Sequence, residues 1–283
     1  MISRMTHGAI FPVAVFLTAS LALYPCFAEQ VAVERVAREP AIGRAIAGGE
    51  APSENKWYAG TFFDYGDVVQ GSRLGKWTEM TSWFGRTYKG IRGYVSFSKL
   101  ERFEEKDYTG NLGAYVKLKD YYIHEEVGFG SDVDFIYKFQ HIAEVSHKLY
   151  KNLSWQLGYT FRQYPVNNTH LIYPGLTYYF GDHYLSADYG ISHIESRGTG
   201  QFGTAKMSFA INKHLRWTTG ASVGQWLYDI YGLSTEKEYG YIGFTTFNVE
   251  IRPGVHLNTG FSYGEENPKF IKRSYTVSLS ADF

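Results

Sequence analysis

Residues 153–163 read LSWQLGYTFRQ, and every second side chain from Leu153 to Phe161 is apolar. The intervening positions are polar or small, so the two faces of the segment differ. A period of two places successive side chains on opposite faces of a β-strand, whereas a helix repeats about every 3.6 residues. The segment is therefore predicted to be a strand between an apolar and a polar environment. Its apolar face consists of Leu153, Trp155, Leu157, Tyr159 and Phe161, and the opposite face of Ser154, Gln156, Gly158, Thr160 and Arg162.

The same alternation returns along most of the chain after residue 55. It predicts fourteen strands of about ten residues, the length of a tilted membrane crossing. Gly75, Gly85, Gly90 and Gly93 interrupt the first three strands, so twelve strands are the alternative. The predicted strands are 56–66, 74–86, 91–101, 108–118, 120–130, 134–147, 153–163, 170–180, 184–194, 201–211, 215–227, 239–251, 255–264 and 271–283.

The breaks between strands alternate in length. Short breaks at 150–152, 181–183, 212–214 and 252–254 are each followed by a longer polar break, at 164–169, 195–200, 229–238 and 265–270. Bacterial outer-membrane barrels have an even number of strands, tight turns on the inner side and longer loops outside. The spacing therefore favours an all-β, transmembrane, antiparallel up-and-down β-barrel.

The bilayer explains why a closed sheet is expected. Within lipid every backbone N–H and C=O needs a partner, which an open sheet edge cannot supply. The apolar face must then contact lipid, and aromatic residues near strand ends form interfacial girdles. The alternative is a large soluble β-sandwich that buries the same aromatic side chains in its core. The predicted girdle residues are Trp57, Trp77, Trp155, Tyr159, Tyr184, Trp217, Trp226, Tyr239 and Tyr263.

Composition excludes several classes of protein. Lys plus Arg and Asp plus Glu are 28 each, so bulk charge gives no support for nucleic-acid binding. Aromatic residues make up 18% of the chain, which disordered chains do not reach. Mean hydropathy is −0.28, and no apolar run after residue 24 is long enough for a membrane-spanning helix.

The N-terminus is predicted to be a secretory signal peptide, residues 1–28. It has basic Arg4, an apolar stretch from Ala9 to Tyr24, and small residues at the −3 and −1 positions of a cut after Ala28. An uncleaved anchor and lipidation at Cys26 are the alternatives. Cleavage removes the only cysteine, so disulfides and thiol chemistry are excluded in the mature chain. Residues 29–54 are predicted to form a flexible periplasmic extension, and 55–283 the barrel.

The C-terminus carries the most specific pattern in the chain. Counting back from the terminal Phe283, every second side chain lies on one apolar face. The pattern resembles the C-terminal signal that outer-membrane proteins present to the barrel-assembly machinery, where a final strand offers an edge and an apolar face. The predicted signal residues are Tyr275, Val277, Leu279, Ala281 and Phe283.

Several motifs resemble the YaiO family of outer-membrane β-barrel proteins. They are LGYTFR at 157–162, LTYYFGDHYLSADY at 176–189, DVDF at 132–135 and the turn LYKNL at 149–153. The resemblance covers about residues 56–283. It implies a signal peptide, a membrane barrel and an outer-membrane location, and it supplies no catalytic residues.

The polar face predicts the function. A lumen of twelve to fourteen strands is wider than side chains alone fill, which favours a passive or gated pore for small hydrophilic solutes. Inward-facing Tyr115, Tyr122, Tyr173 and Tyr179 make saccharides a candidate solute. A closed structural or adhesion barrel is the first alternative. The predicted lumen-lining residues are Lys117, His124, Glu126, Lys138, Glu144, Arg162, Asp188, Lys206, Arg216 and Glu250.

An outer-membrane hydrolase is the second alternative. Ser146-His147 and Ser192-His193 are sequence neighbours, so their side chains point to opposite faces of a strand and cannot act together. The nine histidines show no metal-ligand spacing. We therefore expect no enzyme activity, cofactor or metal. The expected partners are outer-membrane lipids and lipopolysaccharide, the barrel-assembly machinery and a small polar solute or saccharide.

Overall fold

The structure is a computed structural model that describes residues 55–70, 72–131, 133–195, 198–225, 239–266 and 270–283. The predicted signal peptide, the predicted extension 29–54, the predicted break 229–238 and the girdle candidate Trp226 lie outside these ranges.

Fourteen antiparallel strands form one closed barrel, in which each strand pairs with its neighbours in sequence. This confirms the all-β barrel and the count of fourteen strands. The strands are β1 (Lys56–Gln70), β2 (Arg73–Tyr88), β3 (Ile91–Arg102), β4 (Glu105–Leu118), β5 (Tyr121–Ser131), β6 (Phe139–Tyr150), β7 (Leu153–Gln163), β8 (Asn168–Phe180), β9 (His183–Ile194), β10 (Gly198–Ala210), β11 (Leu215–Gly224), β12 (Gly240–Arg252), β13 (Val255–Glu266) and β14 (Phe270–Asp282).

The barrel closes where β14 returns to β1. The register runs from Tyr58 opposite Asp282 to Gln70 opposite Phe270. Beyond it, Trp57 and Phe283 exchange two backbone hydrogen bonds of 2.8 Å each. The first and last strands therefore leave no open edge between them, as a barrel in lipid requires.

The two ends of the barrel differ. One end, here called the turn end, holds Lys56, Phe283 and the six short connections 89–90, 119–120, 151–152, 181–182, 211–214 and 253–254. The opposite end, called the loop end, holds the other connections, including 132–138 and 164–167. In outer-membrane barrels the short turns are periplasmic and the long loops extracellular.

Apolar side chains cover the outside of the barrel, as the sequence predicts. Leu112 is 65% exposed and Leu185 is 50% exposed, whereas their sequence neighbours Asn111 and Ser186 are buried inside. Apolar exposure on this scale around a whole sheet is unfavourable in water and is the normal surface of a barrel in lipid. The described residues contain no helix long and apolar enough to cross a membrane.

Aromatic rings gather on the outer face near both ends. At the turn end Trp57 stacks on Phe84 with ring centroids 5.0 Å apart, and Phe209 stacks on Trp217 at 5.8 Å. At the loop end Phe129 meets Phe139 at 5.5 Å. These pairs have the positions expected of interfacial girdles.

Two of the predicted girdle residues lie inside the barrel instead. The ring of Trp77 is buried against Phe103 and Phe270, and Tyr184 shares the inward-facing register of Ser208. The prediction for these two residues is wrong because it used only their distance from strand ends. The parity of the position along the strand decides which face a side chain takes.

The predicted assembly signal lies along β14 and the residue after it. Tyr275, Val277 and Leu279 are 55%, 49% and 47% exposed on the outer face, and Phe283 is 65% exposed. Ala281 is half-buried on the same face. Recognition of these residues by the assembly machinery stays a prediction.

One inward glycine allows an aromatic ring to lie flat on the wall. Gly158 of β7 is paired with Tyr173 of β8, and a Cβ at residue 158 would overlap the Tyr173 ring. We expect Gly158→Val to lower the free energy of unfolding by about 1–3 kcal/mol because it forces the ring away. Urea unfolding in detergent micelles, followed by the gel mobility of unboiled samples, measures the change.

Gly203→Val is the matched control, because a Cβ at residue 203 of β10 meets no atom within 4 Å. Its unfolding midpoint should equal or exceed that of the native chain. Equal losses for the two variants would contradict the role of the Tyr173 ring.

Candidate functional site

All but one of the predicted lumen residues lie on strands with inward-facing register. The exception is Lys138, which was expected on a strand over 134–147. That strand begins only at Phe139, and Lys138 lies exposed in the connection before it. The inward positions are Lys117, His124, Glu126, Glu144, Arg162, Asp188, Lys206, Arg216 and Glu250.

Burial of the inward side chains depends on their depth in the barrel. Near the loop end they are almost fully covered, with Val68 at 1%, Asp107 at 0% and Ile194 at 0% exposure. Near the turn end many inward residues are half-exposed, as Lys117 and Lys206 are, whereas Tyr58, Thr87 and Ser208 are buried. The lumen is therefore filled toward the loop end and more open toward the turn end.

A connected polar network lies on the inner wall of β3, β5, β6 and β8. The Tyr94 hydroxyl donates to Glu126 and lies 2.9 Å from Nε2 of His124. Nδ1 of His124 is 3.1 Å from Glu144, which also accepts a 2.7 Å hydrogen bond from the Tyr173 hydroxyl. Glu126 is fully buried, so the hydrogen bonds compensate for the loss of water around its carboxyl group.

The network extends toward the loop end. Gln140 donates to the other oxygen of Glu126 at 3.0 Å and accepts 2.7 Å from Nε of Arg162. The guanidinium of Arg162 also lies over the ring of Tyr137, 5.7 Å from its centre. Gln140 and Tyr94 were not among the predicted site residues, although both occupy inward-facing positions of their strands. Both side chains hold predicted lumen residues in place: Tyr94 contacts His124 and Glu126, and Gln140 contacts Glu126 and Arg162.

The connection between β5 and β6 folds inward over the loop end. Phe135, Ile136 and Tyr137 are buried there, and they pack with Leu100 and Tyr164 in one apolar cluster. The Tyr137 hydroxyl donates to Asn111 of β4 at 2.9 Å. This segment, residues 133–138, is called the inner loop below. Phe135 and Tyr137 have strand-like spacing with Phe139, which is why the sequence predicted a strand over 134–147 and not this loop.

One carboxylate anchors the inner loop. Asp107 of β4 is fully buried and accepts backbone N–H groups from Asp134 at 2.9 Å, Phe135 at 2.9 Å and Ile136 at 2.7 Å. Hydrogen bonds to an ionised acceptor are about twice as strong as neutral ones. Asp107 was not predicted as a site residue, although the alternation of the sequence places it on the same polar face as Thr109 and Asn111.

A second cluster fills the lumen beside the β1–β14 closure. Lys272 lies 3.5 Å from the Asp64 carboxylate and 5.2 Å from the centre of the Trp77 ring. Arg102 stacks between Trp77 at 4.2 Å and Phe135 of the inner loop at 4.9 Å. The cations here are held by aromatic rings as well as by carboxylates.

The more open half of the lumen combines tyrosines with charges of both signs. The ammonium group of Lys117 is 5.4 Å from the ring centre of Tyr122, and Tyr179 lies 6.1 Å from Tyr184. The remaining charged residues contact the wall: Arg92 pairs with Asp282 at 3.5 Å, Gln156 donates to Asp188, Arg216 donates to Ser208 at 3.1 Å, and Glu250 lies 3.2 Å from His214.

The histidines considered for catalysis are separated from their neighbouring serines. Ser146 and Ser192 face the lumen, whereas His147 and His193 lie on the outer face. Nδ1 of His193 is 3.1 Å from the Thr199 hydroxyl, and Glu195 lies 3.9 Å from His170. Within the described ranges no group of three His, Cys, Asp or Glu side chains could hold a metal ion.

Solved structures show the same fold at low identity. The monoaromatic hydrocarbon channel CymD superposes with a TM-score of 0.61 at 7% identity, over 85% of this chain and 93% of that chain. The toluene transporter TodX of Pseudomonas putida gives a TM-score of 0.56 at 9% identity, over 92% of this chain and 94% of that chain. No curated protein matches the chain.

A family model supplies the relationship at the level of sequence. The model described as the YaiO membrane β-barrel domain matches residues 58–207, from near the start of β1 to near the end of β10. The match covers more than half of the chain and includes the Asp107 anchor, the inner loop and the Tyr94–Glu126 network. The chain is therefore a member of the YaiO membrane β-barrel family.

Proposed function

We propose that the protein is a gated pore of the outer membrane that passes small hydrophilic solutes. The observation that carries the proposal is the uneven filling of the lumen. About eight strands make a barrel that side chains just fill, so fourteen strands enclose extra space. Polar, half-exposed side chains line that space toward the turn end, which is the arrangement of a water-filled entrance.

The inner loop is the proposed gate. It is an irregular segment at the loop end, where the lumen is otherwise bounded by strands. Asp107 accepts three of its backbone N–H groups, and its apolar residues pack on Leu100 and Tyr164. At its end, the backbone of Lys138 is hydrogen-bonded to Gly130 and Gln163. Residues 133–137 can leave the lumen without breaking any strand pairing, because they belong to no strand, while Lys138 stays bonded to β5 and β7.

Saccharides are the proposed solute class. Tyr115, Tyr122, Tyr179 and Tyr184 are half-exposed inward residues of the turn-end half of the lumen, whereas the predicted Tyr173 is buried. Flat rings beside hydrogen-bonding side chains suit the apolar faces and hydroxyl groups of sugars. The fold shared with the hydrocarbon channels supports passage through the barrel, and the polar character of this wall favours a hydrophilic cargo.

The second candidate function is a closed structural barrel. The complete burial of Glu126 and Asp107, together with the Gln140–Arg162 bridge, favours it because these contacts rigidify the loop-end half. In this reading the inner loop is a fixed plug. The two functions differ in whether displacement of the inner loop opens a path.

The gate can be tested by removing its anchor. Asp107→Ala removes an acceptor of three N–H groups, and the loss of about 1.5 kcal/mol shifts a closed–open equilibrium about tenfold. We expect the native chain to show small or intermittent conductance in planar bilayers and Asp107→Ala to show larger and longer openings. Glu105→Ala is the control, because Glu105 is exposed two residues away on the same strand.

Equal conductance of the native chain and Asp107→Ala would reject the gate, and silence of both would favour the closed barrel. The unboiled mobility of each variant on a denaturing gel must show a folded barrel before its conductance is compared.

The solute class can be tested with Tyr122→Ala in bilayers that contain maltodextrins as blockers. Loss of one stacking ring should raise the apparent Kd for block about tenfold, the equivalent of about 1.4 kcal/mol. The measurement uses the Asp107→Ala background if the native chain rarely opens. Tyr121→Ala is the control, because Tyr121 is the preceding residue and lies on the outer face against His147. Unchanged block in Tyr122→Ala would remove the support for saccharides.

A further inference from the structure

The turn end carries an uneven charge. Four of its six short connections contain a lysine, and a fifth connection directly follows an arginine. The remaining connection, 181–182, holds Asp182 instead, and Asp120 follows one of the lysines. The five cations are all exposed: Lys89, Lys119, Lys151, Lys213 and Arg252.

The loop end differs in the described connections. Its connecting residues hold the acidic Glu104, Asp134 and Glu195, with Lys138 as the cation among them. Among the connecting residues that the structure describes, the excess of positive charge therefore lies at the turn end. Because the connections at the turn end are short and fixed between paired strands, the five cations form a ring around that rim, called the cation ring here.

The height of the cation ring follows from its neighbours. Exposed apolar residues of the outer face stand one or two positions from each cation. Tyr88 is 46% exposed beside Lys89, and Leu118 is 53% exposed beside Lys119. The corresponding values are 74% for Tyr150, 56% for Ile211 and 58% for Ile251. Each cation thus lies just beyond the apolar band that contacts lipid.

The girdle contacts give the same height. The ammonium group of Lys89 lies 5.1 Å from the ring centre of Tyr88. Arg86 is two residues before Tyr88 on the same outer face of β2. Its guanidinium lies 4.9 Å from the ring centre of Trp57 and 5.9 Å from that of Tyr88. Aromatic rings and long basic side chains take these positions at the level of lipid headgroups.

We propose that the cation ring binds the anionic headgroups of phospholipids in the leaflet that faces the periplasm. Basic side chains near an anionic leaflet each contribute favourable electrostatic energy that salt screens. A ring of five, spread around the rim, holds several phosphodiester groups at once and sets the depth and tilt of the barrel. The proposal rests on the fold and the rim charges, and it is independent of the pore function.

The experiment compares vesicles of phosphatidylcholine alone with vesicles in which part of it is replaced by phosphatidylglycerol. The full mature chain is folded into both, and the urea midpoint of unfolding is read from unboiled gels. We expect phosphatidylglycerol to raise the midpoint of the native chain, and high salt to abolish the rise. The ring variant, in which all five cations are replaced by Gln, should show no rise of the midpoint with phosphatidylglycerol. Its substitutions are Lys89→Gln, Lys119→Gln, Lys151→Gln, Lys213→Gln and Arg252→Gln.

A control with the same residue types lies at the opposite end. Lys76, Lys99, Lys106, Lys138 and Arg273 are exposed residues of the loop-end half, and their replacement by Gln removes the same charge. This control should keep most of the rise caused by phosphatidylglycerol. If the control loses as much of this rise as the ring variant does, the rise depends on total charge and not on the cation ring, and the proposal is overturned.

Two further measurements test the cation ring if the ring variant folds poorly. A variant in which the four lysines become arginines keeps every charge and should keep the rise. Soluble glycerol phosphate added to phosphatidylcholine vesicles should not reproduce the rise, because the ring acts on headgroups held in a leaflet. A rise with glycerol phosphate, or one in the native chain that survives high salt, would overturn the assignment.

Discussion

The hydrogen bonding of the backbone is the constraint on which the rest of the structure depends. In lipid no water is available to form hydrogen bonds with an unpaired N–H or C=O, so the sheet must close on itself. The register between β1 and β14, completed by the exchange between Trp57 and Phe283, meets this demand. Once the sheet is closed, the period of two divides every strand into a face toward lipid and a face toward the lumen.

Closure of fourteen strands creates a second problem, which is the space inside. The protein fills that space unevenly, with the inner loop and its apolar cluster at one end and half-exposed polar side chains at the other. Asp107 is central to this division because it accepts hydrogen bonds from three backbone N–H groups and so holds the inner loop in place. The Glu126 and Gln140 contacts give the wall beneath it the rigidity of a well-paired interior.

The outer face and the strand count could be predicted from the sequence because both follow from local alternation. Leu157 and Leu185 are examples of positions whose environment their neighbours reveal. The inner loop could not be predicted in the same way. Phe135 and Tyr137 have strand-like spacing with Phe139, and only the tertiary contact with Asp107 shows that the chain turns inward before β6. Lys138 was wrongly placed on a strand for this reason. Trp77 was wrongly placed on the outer face because its nearness to a strand end was given more weight than its odd or even position along the strand.

The first two strands are longer than a membrane needs. A crossing takes about ten residues, whereas β1 has 15 and β2 has 16. At about 3.3 Å per residue, the surplus adds about 16–20 Å of strand length. Among the described strands, this hairpin therefore projects past β3, whose pairing with β2 ends at Trp77 and Arg102.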